Sequence, residues 1–203
     1  MSYFLVDIWM MILPSVLLLP MYAWTFFKVY VGSRFTIVLV MIALLFAGNV
    51  GNIVQGIGQY GVMLHHQRDN EETIFKWDCI SGGGMTLANL CFNESHWMLA
   101  VFYFKMAQNM PRVIANNPAD PLRSYSVLSW IGLVLNAVFP VALGVSFMLV
   151  CYYKYNTGDK QWADELASYT ATGTYCGQII SGCLLVWSVF RVSSYMRARQ
   201  ITG

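Results

Sequence analysis

Five apolar stretches, near residues 8–27, 36–60, 84–104, 127–151 and 172–190, divide this 203-residue chain, and each is long enough to cross hydrocarbon as a helix. A backbone inside a bilayer must satisfy its own hydrogen bonds, which for runs of this length and pattern means α-helix. The sequence therefore predicts an all-α, polytopic bundle of five transmembrane helices forming a single domain over 1–203. Composition agrees, since 57% of residues are hydrophobic and only 11% are charged, well outside the usual balance of soluble domains. The first run, Ile8 to Phe27, lacks the short core and small-residue cleavage site of a removable signal peptide and reads as a mature helix. Between the runs, VYVGSR, HHQRDNEETIFKWDCISGGG, PRVIANNPADPLRS and KYNTGDKQWADELAS carry the turn-prone and charged clusters of loops.

Charge placement orients the bundle. Five spans put Lys28, Arg34, Lys105, Arg112, Arg123, Arg191, Arg197 and Arg199 on one side, with Asp120 as that side's one acid. Arg68, Lys76, Lys154 and Lys160 lie on the other, together with Asp7, Asp69, Glu71, Glu72, Asp78, Asp159, Asp164 and Glu165. The Lys/Arg bias of short loops then predicts an N-terminus outside and a cytoplasmic C-terminus, with the plasma membrane favoured. The basic tail RVSSYMRARQ could meet anionic lipid heads; a plain topology signal is its simpler meaning.

In lipid, helices associate by close packing because the hydrophobic effect does not press them together. Small residues four apart mark the candidate seams: Gly48, Asn52 and Gly56 in the second span; Gly132, Asn136, Pro140 and Gly144 in the fourth; Gly173, Gly177 and Ser181 in the fifth. These stripes pack the bundle internally or face a neighbouring copy. Pro14 and Pro20 each remove a backbone donor from the first span.

The third span is the polar one. At 100° per residue, Asn89, Asn93 and His96 share a face continued by Ala100 and Tyr103, which is expected to point inward, while Glu94 lies on another face near mid-bilayer. A bare carboxylate at that depth costs several kcal/mol. Glu94 thus requires protonation, water, or a partner, the candidates being Asn49, Asn52, Gln55, Asn136 and Gln178. Two functions fit such a residue: a hydrogen-bonded network that fixes helix register, or a proton or cation site in which Glu94 acts with His96.

Other patterns carry less. Asn93-Glu94-Ser95 spells a glycosylation acceptor but lies within a span. His65, His66, Glu71 and Glu72 match no standard ligand spacing, so neither a metal nor another cofactor is expected. Asn117-Pro118-Ala119 resembles the box of water channels in three letters only; it occurs once and reads as a turn before a helix start. Cys79, Cys151 and Cys176 fall near the outer surface in this topology, so a disulfide from Cys79 to either of the others is feasible, as are three reduced thiols.

His96-Trp97-x-x-Ala100-x-x-Tyr103 followed by Asn109-Met110-Pro111 resembles a run in uncharacterised multi-pass membrane proteins of protists. The resemblance covers one span and its exit, and implies a helical membrane protein with no role attached. The expected sidedness also matches that of seven-span receptors, whose triplet after the third span and Asn-Pro-x-x-Tyr run have no counterpart here. Without a serine nucleophile elbow or a catalytic cysteine setting, the expectation is not an enzyme but a structural or scaffold subunit of a larger membrane assembly or homo-oligomer. Its partners would be lipids and other membrane subunits, and no nucleic acid. A proton- or cation-linked transporter or channel centred on Glu94 is the alternative, and a receptor-like protein the third.

Overall fold

The computed structural model describes residues 2–32, 36–66, 71–114, 127–156 and 161–202, and every one of these is helical. They form α1 (Ser2–Gly32), α2 (Thr36–His66), α3 (Glu71–Ile114), α4 (Val127–Asn156) and α5 (Gln161–Thr202). Four carry segments long and apolar enough to cross a membrane: Leu5–Gly32, Ile37–His65, Ser129–Tyr153 and Gln161–Arg197. The run at 84–104 in α3 is not among them, because Asn89, Asn93, Glu94 and His96 dilute its apolar character.

α3 is central. It packs against α2, α4 and α5; α4 packs on α5; and among the described residues α1 touches α2 alone. Partner residues fix the directions of the helices. Gly48 meets Phe92 and Gly61 meets Trp77, so α2 and α3 are antiparallel. Ser15 pairs with Asn52, Trp97 with Ser129, and Thr170 with Ser146. With the Gly56–Ile12, Gly144–Thr86 and Gly173–Phe139 contacts, these make each sequence-adjacent pair antiparallel. The start of α1 and the end of α5 therefore lie at opposite ends of the bundle. Among the described side chains, Glu71, Glu72, Asp78, Asp164 and Glu165 gather at one end, and Lys28, Lys105, Arg191 and Arg197 at the other. At the basic end Lys28 sits 5.2 Å over the Trp24 ring and Arg191 5.8 Å over Trp187, a pairing suited to the edge of an apolar layer.

The helices run further than the apolar stretches. Residues 71–84 belong to α3 and 161–168 to α5, although the sequence reads both as loops. Glu71 and Glu72 stand in the first turn of α3, where acids favour the helix dipole. Lys76 Nζ donates to Glu72 Oε1 at 2.7 Å, a pairing that holds the Glu72 carboxyl below its ordinary range. Gly82 and Gly84 serve packing instead of a turn. A Cβ on Gly84 would lie 2.3 Å from the Gln55 backbone nitrogen, and one on Gly51 2.6 Å from that of Ala88. With Gly58 against Ser81 and Gly61 against Trp77, α2 and α3 touch backbone to backbone, the arrangement that small residues permit between helices in lipid.

The expected stripes distribute over several seams. Gly48 faces Phe92 of α3, whereas Gly56 faces Ile12 of α1, where Asn52 Nδ2 also donates to Ser15 Oγ at 3.4 Å. Gly132 abuts the Trp97 ring, Gly144 abuts Thr86, Gly173 abuts Phe139 and Gly177 abuts Asn136 Oδ1. Ser181 is buried and donates to the carbonyl of Gly177 at 2.8 Å. Each of these small residues thus meets a side chain or backbone of this same chain.

Candidate functional site

The polar centre lies midway along α3. Asn93 is 1% exposed and Glu94 8%. Neither amide atom of Asn93 has a hydrogen-bond partner among the described residues, nor has Glu94 Oε1. None of the five candidate partners answers that carboxyl oxygen: Asn49 Nδ2 donates to the carbonyl of Leu45 at 2.8 Å, Asn52 to Ser15, and Asn136 Nδ2 to the carbonyl of Gly132 at 2.8 Å. Gln55 offers its backbone to Gly84, and Gln178 lies with His96 on the α5 side. The side-chain amides of Asn49 and Asn136 are directed into their own helices, and that of Asn52 toward α1.

His96 departs from the expected inward face. It is exposed, its Nδ1 lies 2.8 Å from the carbonyl of Phe92, and it borders a shallow hollow with Phe92, Gln178, Gly182 and Leu185. Asn89 is half-buried, and Ala100 is fully enclosed. The buried arc of α3 is turned so that it takes in Asn93, Glu94 and Trp97 and leaves His96 at the α5 rim. Glu94 and His96 therefore do not converge on one point.

Asn93 instead converges with Asn136. Both line a cavity of about 300 Å³ between α3, α4 and α5, walled chiefly by Trp97, Leu135, Phe139 and Gly177. Asn136 Oδ1 also has no partner. Its main-chain carbonyl loses the usual donor four residues on, because Pro140, buried within α4, has no N–H. The remaining polar groups on the wall are already engaged. Trp97 Nε1 donates to the carbonyl of Ser129 at 3.0 Å, and Thr174 Oγ1 donates to that of Thr170 at 2.9 Å. Sequence reading singled out Asn93 and Asn136, but missed Trp97, Phe139 and Thr174, whose helical spacing signals only packing.

The five cysteines are free. Since α5 starts at Gln161 and not near 172, Cys176 stands fifteen residues into it, about 22 Å along the axis. Cys151 instead stands near the end of α4 that borders the start of α5, where Tyr153 packs on Trp162, so Cys176 is removed from it. No cluster of metal-ligating side chains occurs among the described residues; His65 stacks on Trp77 with ring centroids 6.3 Å apart. Asn117-Pro118-Ala119 lies outside the described residues. No protein family, no curated protein and no solved structure matches the chain.

Proposed function

We propose that this chain is a non-enzymatic integral membrane protein that serves as a structural subunit of a larger membrane assembly or homo-oligomer, joined to it through the outer face of α1. The small-residue seams are used up inside the chain, which directs attention to the one helix with a single neighbour. Trp9, Leu13, Leu17, Met21 and Trp24 of α1 are all more than half exposed. The observation that carries the reading is that Pro14 and Pro20 lie exposed on α1, away from α2. Each proline deprives the carbonyl four residues earlier, at Met10 and Val16, of its helical donor. Lipid offers no replacement, and in membrane helices neighbouring helices commonly supply one. The basic ends of α1, α3 and α5 favour the side carrying the C-terminus as the cytoplasmic one.

A photo-cross-linking residue at Leu17 is the direct test. It should give a protein adduct of defined mass in native membranes, while the same residue at Phe190, on α5, should not. Adducts with lipid alone at Leu17 would sink the reading. Pro14→Ala with Pro20→Ala returns both donors to α1. If the partner's hydrogen bonds are worth roughly 1 kcal/mol each, the double variant should associate about thirtyfold more weakly, as read from the adduct yield.

Glu94 favours a second reading, proton or cation passage, because Glu94 Oε1 is buried and unpaired. In liposomes Glu94→Gln should then abolish a flux that the unaltered chain supports. A subunit with a purely structural role shows no flux in either form.

A further inference from the structure

We propose that the cavity between α3, α4 and α5 is a binding site for an uncharged, membrane-dissolved alcohol, whose hydroxyl is received by Asn93 and Asn136 while its apolar body lies against Leu135, Phe139 and Ile180. The charge of the ligand follows from the wall, which holds no acidic, basic or histidine side chain; an ion entering it would be desolvated without a counter-charge. Its functional group follows from what the wall leaves unpaired. Asn93 Oδ1 and Asn136 Oδ1 need a donor, and Asn93 Nδ2 needs an acceptor. A hydroxyl provides a donor and an acceptor at one atom, so it can donate to one of the two amide oxygens and accept from Asn93 Nδ2, whereas a ketone or ester would leave both oxygens without a donor. Asn93 is almost wholly enclosed, so an empty site keeps the full penalty of unmet hydrogen bonds.

The route of entry follows from exposure. Ile131 is 50% exposed, Leu135 47% and Ile180 61%, and with the exposed Cys176 they form the outer edge of the cavity between α4 and α5. The mouth opens sideways, toward what surrounds the bundle. In a bilayer that surrounding is lipid, and the solutes available there are lipophilic. Trp97 and Thr174 are tied to backbone carbonyls and do not compete for the hydroxyl.

The test uses the full-length chain in phosphatidylcholine nanodiscs with two photoactivatable probes of equal length, a diazirine-bearing decanol and the corresponding diazirine alkane without the hydroxyl. The alcohol should label segments of α3, α4 and α5 that border the cavity at least tenfold more than the alkane does, and excess decanol should compete. Asn93→Leu should reduce alcohol labelling to the alkane level. Ile180→Trp, which plugs the mouth from an exposed position, should do the same without touching the helix seams, and it decides the matter should Asn93→Leu not fold. Equal labelling by the two probes, as expected for a cavity holding lipid tails or water only, overturns the proposal. So does alcohol labelling that survives Ile180→Trp.

Discussion

Leucine at Gly84 is expected to abolish the folded monomer, whereas leucine at Gly83, one residue earlier, is expected to leave it intact. A Cβ on Gly84 would stand 2.3 Å from the backbone nitrogen of Gln55, 2.7 Å from the carbonyl oxygen of Gly51 and 2.8 Å from Gln55 Cα, while a Cβ on Gly83 meets nothing within 4 Å. Backbone atoms of a neighbouring helix cannot rotate aside as a side chain can. The larger residue must therefore drive α2 and α3 apart along the most extensive helix pair in the bundle. Overpacking costs about 1–3 kcal/mol where side chains can yield, and more where they cannot. With α1 attached through α2 alone, separating this pair also detaches α1. Total stabilities of about 5–15 kcal/mol leave little reserve against such a loss. Gly83→Leu, by contrast, exchanges a poor helix former for a good one, a gain of up to about 1 kcal/mol. Size-exclusion chromatography and thermal unfolding in mild detergent compare the two directly. Equal behaviour of both variants would refute the close approach of α2 and α3.

The helices were legible in the sequence because apolar runs of about 20 residues, the length that spans hydrocarbon as a helix, mark them, and each of the five expected runs falls inside one helix. Their ends were not. The extensions at 71–84 and 161–168 carry charges and glycines, and a hydropathy window scores a polar helix and a loop alike. The α2–α3 seam was missed for a related reason. Gly51 and Gly58 are seven residues apart, two turns on one face, and a search for spacings of four passes over them in favour of Gly48 and Gly56, which serve two different neighbours. In α3 the periodicity put Asn93 and Glu94 on different faces, yet it could not say which arc is covered. That depends on where α2, α4 and α5 sit, and their placement buries Glu94 and exposes His96. The convergence of Asn93 with Asn136, from helices far apart in the chain, has no local signature.

Asn93→Leu is expected to raise the thermal stability of the ligand-free protein, against the usual direction for a buried substitution. Two unpaired amide atoms at a position 1% exposed carry a penalty of about 1–3 kcal/mol. Leucine has a similar shape, brings no polar atom, and would meet the apolar wall formed by Trp97, Leu135 and Phe139. For a chain of this size each kcal/mol corresponds to roughly 2–4 °C in Tm. Asn136→Leu should gain less, because Asn136 already donates to Gly132 at 2.8 Å and that bond would be lost. A fall in Tm for Asn93→Leu would mean that the amide is paired in the membrane after all, by water or by a partner, and that the polar centre fixes helix register. A rise in Tm together with lost alcohol labelling would instead mark Asn93 as a group retained at a cost in stability for what it binds. That combination separates a site from a structural network, because a residue that only fixes helix register can also be replaced with a gain in stability but its loss would not abolish alcohol labelling.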